Sequence, residues 1–128
     1  MRLWHSNLIP YLDGRRLCDL HMSCCNLRGR GWGKRNVSIN YLYDDPLGED
    51  ALAVYHRRVL LEMHKRGYNY QVDWLKPTYC GKLRNARPFN QIRFDAASQR
   101  LVPLLGHTDE ILQNDIKALR ERGLDIKF

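Results

Sequence analysis

Residues 49–67, EDALAVYHRRVLLEMHKRG, form the stretch that decides the fold. The apolar side chains of this stretch recur every three or four residues, and one stripe contains Leu52, Tyr55 and Val59. This spacing matches the α-helical turn of about 3.6 residues and indicates a helix with one buried face. Gly67 stands directly after the last periodic residue, where glycine commonly ends a helix. The stretch therefore predicts a helix over residues 49–66.

Two further stretches have the same periodicity. Residues 14–27 follow Asp13, and residues 109–122 follow Thr108, so that each helix has a suitable N-cap. Gly123 stands where the last helix is predicted to end, and the residue after it can pack back on the helix. The buried stripes are predicted from Leu17, Leu20, His21, Cys24 and Leu27 in the first stretch and from Ile111, Leu112, Ile116 and Leu119 in the last.

The connections between these helices are predicted to be long and irregular. Residues 1–12 indicate an extended or loosely structured lead-in, and residues 37–43 alternate like a strand that has no partner strand. Residues 68–106 are interrupted by prolines and glycines. The predicted fold class is mainly α, a compact single domain of about three helices spanning residues 1–128.

The charge of the chain favours an acidic partner. Twenty-one Lys and Arg residues stand against 14 Asp and Glu residues, which gives a formal net charge of +7. Residues 1–43 contain Asp13 and Asp19 as their only acids, so the positive charge is concentrated in the N-terminal third. Such an excess attracts polyanions or acidic surfaces. No run of apolar residues is long enough to span a membrane, and we expect no membrane partner.

Residues 28–35, RGRGWGKR, combine four cations, three glycines and one tryptophan. Glycine lets the backbone approach a ligand closely, cations neutralise phosphates, and an indole ring can stack on a base. This composition indicates a nucleic-acid contact. A solvated loop between two helices is the alternative interpretation, because charged runs often serve no other purpose.

The four cysteines, Cys18, Cys24, Cys25 and Cys80, do not form a C-x-x-C pair. We interpret them as reduced, mostly buried side chains. A zinc site built from His21, Cys24 and a further ligand is the alternative, because residues three apart share a helix face. The chain has no P-loop, no H-E-x-x-H and no G-x-S-x-G. We therefore predict no metal and no cofactor.

A set of short segments in a fixed order carries a resemblance to a known family. These segments are Met1-Arg2-Leu3-Trp4-His5, His21, Cys24-Cys25, Leu27-Arg28-Gly29, Gly31-Trp32-Gly33-Lys34, Asn40-Tyr41 and Lys65-Arg66-Gly67-Tyr68-Asn69. Together they resemble the pyrimidine dimer DNA glycosylase family. The similarity covers most of residues 1–70 and, more loosely, the last helix.

The resemblance implies a compact three-helix fold and a DNA-repair enzyme of base excision repair with two activities, glycosylase and AP lyase. In that family the N-terminal α-amine attacks C1′ of the damaged nucleotide, an imine forms, the base leaves, and β-elimination cuts the strand. An α-amine suits this reaction because its reference pKa of about 7.7–8.0 leaves a neutral fraction near pH 7. The matching groups here are the α-amine of Met1 and the neighbouring cation Arg2.

One position departs from the family pattern. The family places a glutamate on the first helix, and the spacing behind Leu12 and Leu17 puts Ser23 at that position. A hydroxyl cannot hold a negative charge at pH 7 and is a poor general base. Asp19, one turn earlier on the same face, is the nearest carboxylate. The predicted catalytic residues are therefore Met1, Arg2, Ser23 and Asp19, with activity weakened by the missing glutamate.

The predicted partner is double-stranded DNA that contains a lesion or an abasic site. The side chains expected to contact it are Arg2, His5, Arg16, Arg28, Arg30, Trp32, Lys34 and Arg35. A catalytically silent binder of damaged or bent DNA is the first alternative, and a small basic protein-interaction module is the second. We expect a monomer located in the cytoplasm, as an intracellular protein of the bacterial or phage type associated with the nucleoid.

Overall fold

The computed structural model describes residues 2–30, 40–82 and 85–127, with only the backbone given for Arg30. Five α-helices occur in these ranges: α1 (Gly14–Arg30), α2 (Asn40–Asp44), α3 (Gly48–Lys65), α4 (Gln91–Ser98) and α5 (Asp109–Glu121). Two 3₁₀ segments, Ser6–Tyr11 and Val72–Leu75, complete the regular structure of the described residues, which contain no β-strand. The predicted mainly α fold is confirmed.

The three predicted helices are the three long ones, and the predicted end residues Thr108, Gly67 and Gly123 are confirmed for α5 and α3. Thr108 accepts a hydrogen bond from the backbone N–H of Ile111 at 3.2 Å and caps α5. Gly67 has a φ of 76° after α3, and Gly123 has a φ of 87° after α5. These left-handed residues let the next N–H turn back to a carbonyl of the last helical turn.

Helix α3 lies at the centre of the packing. It contacts α1, α2, α4 and both 3₁₀ segments, while α5 contacts the first 3₁₀ segment. Tyr55 of α3 is fully buried, and its hydroxyl donates a hydrogen bond to the carbonyl of Trp4. The predicted stripe of α3 is therefore the centre of the core, and it fixes the N-terminal segment directly. None of the described helices has the length and apolar character needed to cross a membrane.

Three predicted connections differ from the structure. Residues 40–43 of the stretch predicted to be extended lie in α2, because Leu42 is buried in the core from a short helical turn, and residues 37–39 fall outside the described residues. The lead-in contains the 3₁₀ segment Ser6–Tyr11 rather than extended chain alone. The irregular region 68–106 contains a 3₁₀ segment and α4, whose one buried residue is Ala97. Helix α4 has no apolar stripe, and the sequence therefore gave no periodic signal for it.

Candidate nucleic-acid interface

A groove runs between the N-terminal segment, the first turns of α1 and the residue that follows α5. Its volume is about 590 Å³. Four cations and two acids line it, so that the groove carries a positive charge. The lining residues are Arg2, Trp4, Asp13, Arg15, Arg16, Asp19, Leu20, Ser23 and Arg122. We call this the Arg2 groove.

Trp4 organises the cations at one end of the Arg2 groove. The guanidinium carbon of Arg2 lies 4.6 Å from the centroid of the indole ring, and that of Arg122 lies 5.4 Å from it. Trp4 itself is buried and held by Tyr55 through its carbonyl. Guanidinium groups stack favourably on indole faces. A rigid aromatic ring therefore positions two arginines that are 120 residues apart in sequence.

The Arg2 groove brings together three of the four predicted catalytic residues. Arg2, Asp19 and Ser23 line it, as does Arg16, which was predicted to bind DNA. Ser23 is half-buried and Asp19 is exposed. Met1, the fourth predicted catalytic residue, lies outside the described residues. Their proximity agrees with a common site, and their individual roles remain predictions.

Arg16 also forms an ion pair inside the groove. Its Nη1 donates to Oδ1 of Asp13 at 2.9 Å. Burial acts to raise the pKa of the Asp13 carboxyl, but the hydrogen bond and the charge of Arg16 outweigh it and lower that pKa. Asp13 is consequently an ionised partner of Arg16 and a weak proton acceptor.

Arg28 does not fit its predicted contact with phosphate. The side chain is buried, and its guanidinium donates to the carbonyls of Trp74, Lys76 and Tyr79 at 2.7–2.9 Å. It also lies over the Trp74 ring, with its central carbon 5.1 Å from the ring centroid. These acceptors occupy the guanidinium, so Arg28 holds the 3₁₀ segment Val72–Leu75 against α1 instead of facing a ligand.

His5 is likewise buried rather than exposed to DNA. Its Nδ1 accepts from the backbone N–H of Asn7 at 3.1 Å, and its Nε2 lies 3.0 Å from the carbonyl oxygen of His107. Burial lowers its pKa. Both ring nitrogens are therefore used within the protein, and the predicted DNA contact of His5 does not fit. Trp32, Lys34 and Arg35 fall outside the described residues, as does the side chain of Arg30.

A second polar group lies away from the Arg2 groove, where α1 meets α3. His21 and Cys25 come from successive turns of α1, and His56 comes from α3. The ligand atoms of these three residues lie within 4.8 Å of one another, a spacing that metal sites also have. Cys24, named in the sequence-based zinc alternative, is not in this group, so that alternative had the wrong cysteine. We call Arg28, His56, His21 and Cys25 the Arg28 cluster.

The hydrogen bonds of the Arg28 cluster favour a chain of hydrogen bonds with fixed donors and acceptors over a metal centre. Nη1 of Arg28 lies 3.0 Å from Nδ1 of His56, and Nε2 of His56 lies 2.9 Å from Nδ1 of His21. Because Arg28 has only donors, Nδ1 of His56 must accept, and the proton of the neutral ring sits on Nε2. Nε2 then donates to His21. A metal on that nitrogen would move the proton to Nδ1, where it would face the N–H of Arg28.

The pKa shifts in the cluster agree with this assignment. Burial, followed by the charges of Arg28 and His21, lowers the pKa of His56 well below its usual value. Burial raises the pKa of the Cys25 thiol to about 11, so the sulfur is protonated at neutral pH. A neutral imidazole and a neutral thiol next to one buried arginine form a satisfied structural network.

Asp115 is a polar residue near the N-terminus that sequence reasoning missed. Its carboxylate is buried in α5, accepts the backbone N–H of His5 at 2.8 Å and lies 4.0 Å from Nε of Arg2. Burial raises its pKa, against the lowering effects of His5 and Arg2. The sequence signal was an acid on the apolar side of a helix, next to Ile116. Arg122 and Arg15 were also missed as groove cations.

The matched residues of a family comparison include most of this site. A protein-family model described as pyrimidine dimer DNA glycosylase matches residues 1–76. These residues include every lining residue of the Arg2 groove except Arg122. No solved structure matches the chain. The family match covers more than half of the 128 residues and confirms the resemblance seen in the sequence. The chain belongs to the pyrimidine dimer DNA glycosylase family, whose members are DNA-repair enzymes.

Proposed function

We propose that this protein is a DNA glycosylase with AP lyase activity and that the damaged strand lies in the Arg2 groove. The observation that supports this most strongly is the groove itself. All of its lining residues except Arg122 lie within the family-matched region, and it joins Arg2, Asp19 and Ser23 next to the N-terminus. The substrate would be double-stranded DNA with a lesion or an abasic site, bound by residues 1–128 acting as one domain.

The arginines of the Arg2 groove can bind the phosphates of a bent or damaged DNA strand. Arg2, Arg15, Arg16 and Arg122 all line the same 590 Å³ space, and each can neutralise a phosphate. Arginine binds phosphate oxygens through two parallel N–H donors, which fixes orientation as well as charge. Contacts of this kind carry no sequence information, as expected for an enzyme that recognises damage rather than a base sequence.

The nucleophile in this proposal is the α-amine of Met1. An adjacent cation such as Arg2 disfavours the ammonium form, which lowers the pKa of the amine. The neutral amine attacks C1′ of the damaged nucleotide, and the bonding pair of the glycosidic bond leaves with the base. The nitrogen gives up a proton, and its lone pair forms a C=N bond to C1′ while the C1′–O4′ bond breaks and O4′ leaves with the bonding pair and takes up a proton. The resulting protonated imine undergoes β-elimination, which releases the phosphate at C3′.

Ser23 weakens this chemistry in our proposal. Its hydroxyl is half-buried in the groove and has no charge at neutral pH. A glutamate at this position would lie among Arg2 and Arg16, stay ionised, and stabilise the cationic imine. We expect Ser23→Glu to raise strand cleavage at least about 10²-fold, the lower range for a general acid–base group. DNA affinity should fall slightly, because the added charge repels phosphate.

The test is borohydride trapping on duplex DNA that contains one abasic site, followed by strand cleavage on the same duplex. The starting chain should give a covalent complex, and reductive methylation confined to the N-terminus should abolish it. Ser98→Glu is the matched control, since it adds the same charge at an exposed position of α4. Full trapping after methylation would show that a lysine is the nucleophile. An equal increase in strand cleavage in Ser23→Glu and Ser98→Glu would show that position 23 has no specific role in the reaction.

A catalytically silent binder of damaged DNA is the second candidate. Ser23 is the observation that favours it, because the groove keeps its cations without the family carboxylate at that position. A silent binder would bind lesion-containing duplex more tightly than intact duplex, yet would give neither a trapped complex nor cleavage, with or without Ser23→Glu.

A further inference from the structure

The proposed reaction needs a proton acceptor beside the imine, and three carboxylates lie around Arg2. Asp13 and Asp19 line the Arg2 groove, and Asp115 approaches Arg2 from α5. Asp13 is committed to Arg16 through a 2.9 Å ion pair that lowers its pKa. Asp19 is exposed on α1. Asp13 therefore lacks the environment of a carboxylate prepared to accept a proton near neutral pH, and Asp19 is not enclosed by the protein.

Asp115 has a different environment. Its two oxygens are used unequally: Oδ2 accepts the His5 N–H at 2.8 Å, whereas Oδ1 is 4.0 Å from Nε of Arg2, beyond a normal hydrogen bond. Burial raises its pKa, which strengthens it as a base when it is ionised. One oxygen therefore fixes the group, and the other remains directed toward the side of Arg2.

A cavity of about 270 Å³ opens beside this carboxylate. Arg2, Tyr41, His107, Asn114 and Asp115 are among its lining residues. The volume equals the liquid volume of about nine water molecules, which is room for one pentose. Arg2 also lines the Arg2 groove, so the two spaces meet at the residue that follows Met1. A sugar joined to the α-amine would have its C2′ atom two bonds from that nitrogen.

His107 adds an unpaired polar atom at this end of the molecule. Its Nε2 lies 3.0 Å from the Leu3 carbonyl, but its Nδ1 is buried and has no hydrogen-bond partner. Burial, together with His5, lowers its pKa to about 4, so the ring is neutral and Nδ1 is an acceptor. The ring therefore contributes an uncharged wall to the cavity beside Asp115, while Nδ1 itself is closed off from solvent.

We propose that Asp115 is the catalytic base of the strand-cleavage step, an inference that rests on the glycosylase and AP lyase function proposed above. Asp115 would take the place of the carboxylate that the family pattern puts at Ser23. The Arg2 groove would then hold the phosphates, and the cavity beside Asp115 would hold the sugar.

The Asp115 carboxylate takes the C2′ proton and becomes a carboxylic acid. The C2′–H pair forms a C1′=C2′ double bond, and the imine nitrogen takes the pair of the former C=N bond. That nitrogen then re-forms the imine, the C1′=C2′ pair moves to C2′=C3′, and the phosphate leaves C3′ with the C–O bonding pair. Solvent later removes the proton from Asp115.

The test compares trapping with strand cleavage in Asp115→Asn, on abasic-site duplex. The amide oxygen can still accept the His5 N–H, so the N-terminal segment should stay in place. We expect trapping within about threefold of the unchanged protein and cleavage reduced at least about 10²-fold, as for loss of a general base. Asp109→Asn, in the exposed first turn of the same helix, is the matched control and should leave both activities unchanged.

A second variant separates catalysis from folding. Ser23→Glu combined with Asp115→Asn should restore cleavage, since a carboxylate in the groove would replace the one removed. Unchanged cleavage in Asp115→Asn, an equal loss of trapping and cleavage, or a double variant that folds and traps without cleaving would each overturn the role of Asp115. Absence of trapping in the unchanged protein would instead overturn the proposed function itself.

Discussion

The Arg2 groove and the Arg28 cluster use the same residue type for opposite purposes. Arg16 and Arg28 are both on α1, twelve residues apart. Arg16 opens into a groove lined by four arginines and two acids, whereas Arg28 is enclosed by three carbonyls and a histidine. The acceptors around an arginine, and not its place in a basic run, therefore decide whether it can bind phosphate.

The largest difference between the two regions should appear in stability. Arg28→Met would remove a buried guanidinium and leave three partly buried carbonyls without their donor, and we expect the free energy of unfolding to fall by about 3–5 kcal/mol. Urea denaturation followed by circular dichroism measures this. Arg15→Ala, in the groove, should change the free energy by less than about 0.5 kcal/mol. Similar losses of unfolding free energy in Arg28→Met and Arg15→Ala would contradict the different roles assigned to the two arginines.

The second-largest effect should be a loss of folding stability in acid, which arises from the buried histidines. His56 and His107 are held neutral by burial, and the pKa of His107 is lowered from 6.5 to about 4. Below pH 6.5 the unfolded chain binds protons that the folded chain does not, so stability falls as the pH falls toward 4. A shift of this size in His107 alone corresponds to about 3 kcal/mol across that range.

Urea denaturation at several pH values across this range measures the effect. Asp115 contributes with the opposite sign, because its raised pKa stabilises the folded protein as the pH falls through that pKa. His107→Gln should flatten the dependence, and His64→Gln, on the exposed part of α3, should leave it unchanged. A flat profile in the unchanged protein would contradict the neutral state of the buried histidines.

The smallest effect concerns binding by individual groove cations. Four phosphate contacts would give a slope of log affinity against log salt of roughly −4. Arg15→Ala with Arg122→Ala should reduce that slope by about 2, measured by fluorescence anisotropy on abasic-site duplex. Arg57→Ala with Lys65→Ala removes equal charge from exposed positions on the outer face of α3. This pair should leave the slope within about 0.5 of its starting value. Equal slopes for both pairs would place the DNA elsewhere.

The sequence predicted the fold where periodicity and caps agree. Thr108 and Gly123 mark the ends of α5, and Gly67 marks the end of α3, because caps act through local backbone geometry that nearby residues determine. Helix α4 escaped prediction because it buries little more than Ala97 and has no apolar stripe. Helix α2 escaped because Leu42 is placed by tertiary packing, which overrides the local preference of a short segment.

The candidate site was predictable only in part. The resemblance placed Arg2, Asp19 and Ser23 in one site, and the structure brings them to one groove. Burial could not be inferred for Arg28, because its acceptors are carbonyls of residues 74–79, which are distant in sequence. Arg122 and Asp115 could not be assigned either, since their place near Arg2 depends on how α5 packs against the N-terminal segment.

Three side chains anchor the backbone of residues 3–5, and they come from distant parts of the chain. Tyr55 binds the Trp4 carbonyl, His107 binds the Leu3 carbonyl, and Asp115 binds the His5 N–H. Two of these anchors lie beyond residue 76, where the family match ends. Residues 1–76 therefore depend on the C-terminal part of the chain for the position of the N-terminal segment. A chimera that joined residues 1–76 to a relative's C-terminal half would keep its groove residues except Arg122. It would lose the alignment of the N-terminal segment unless that half also supplied the two anchoring side chains.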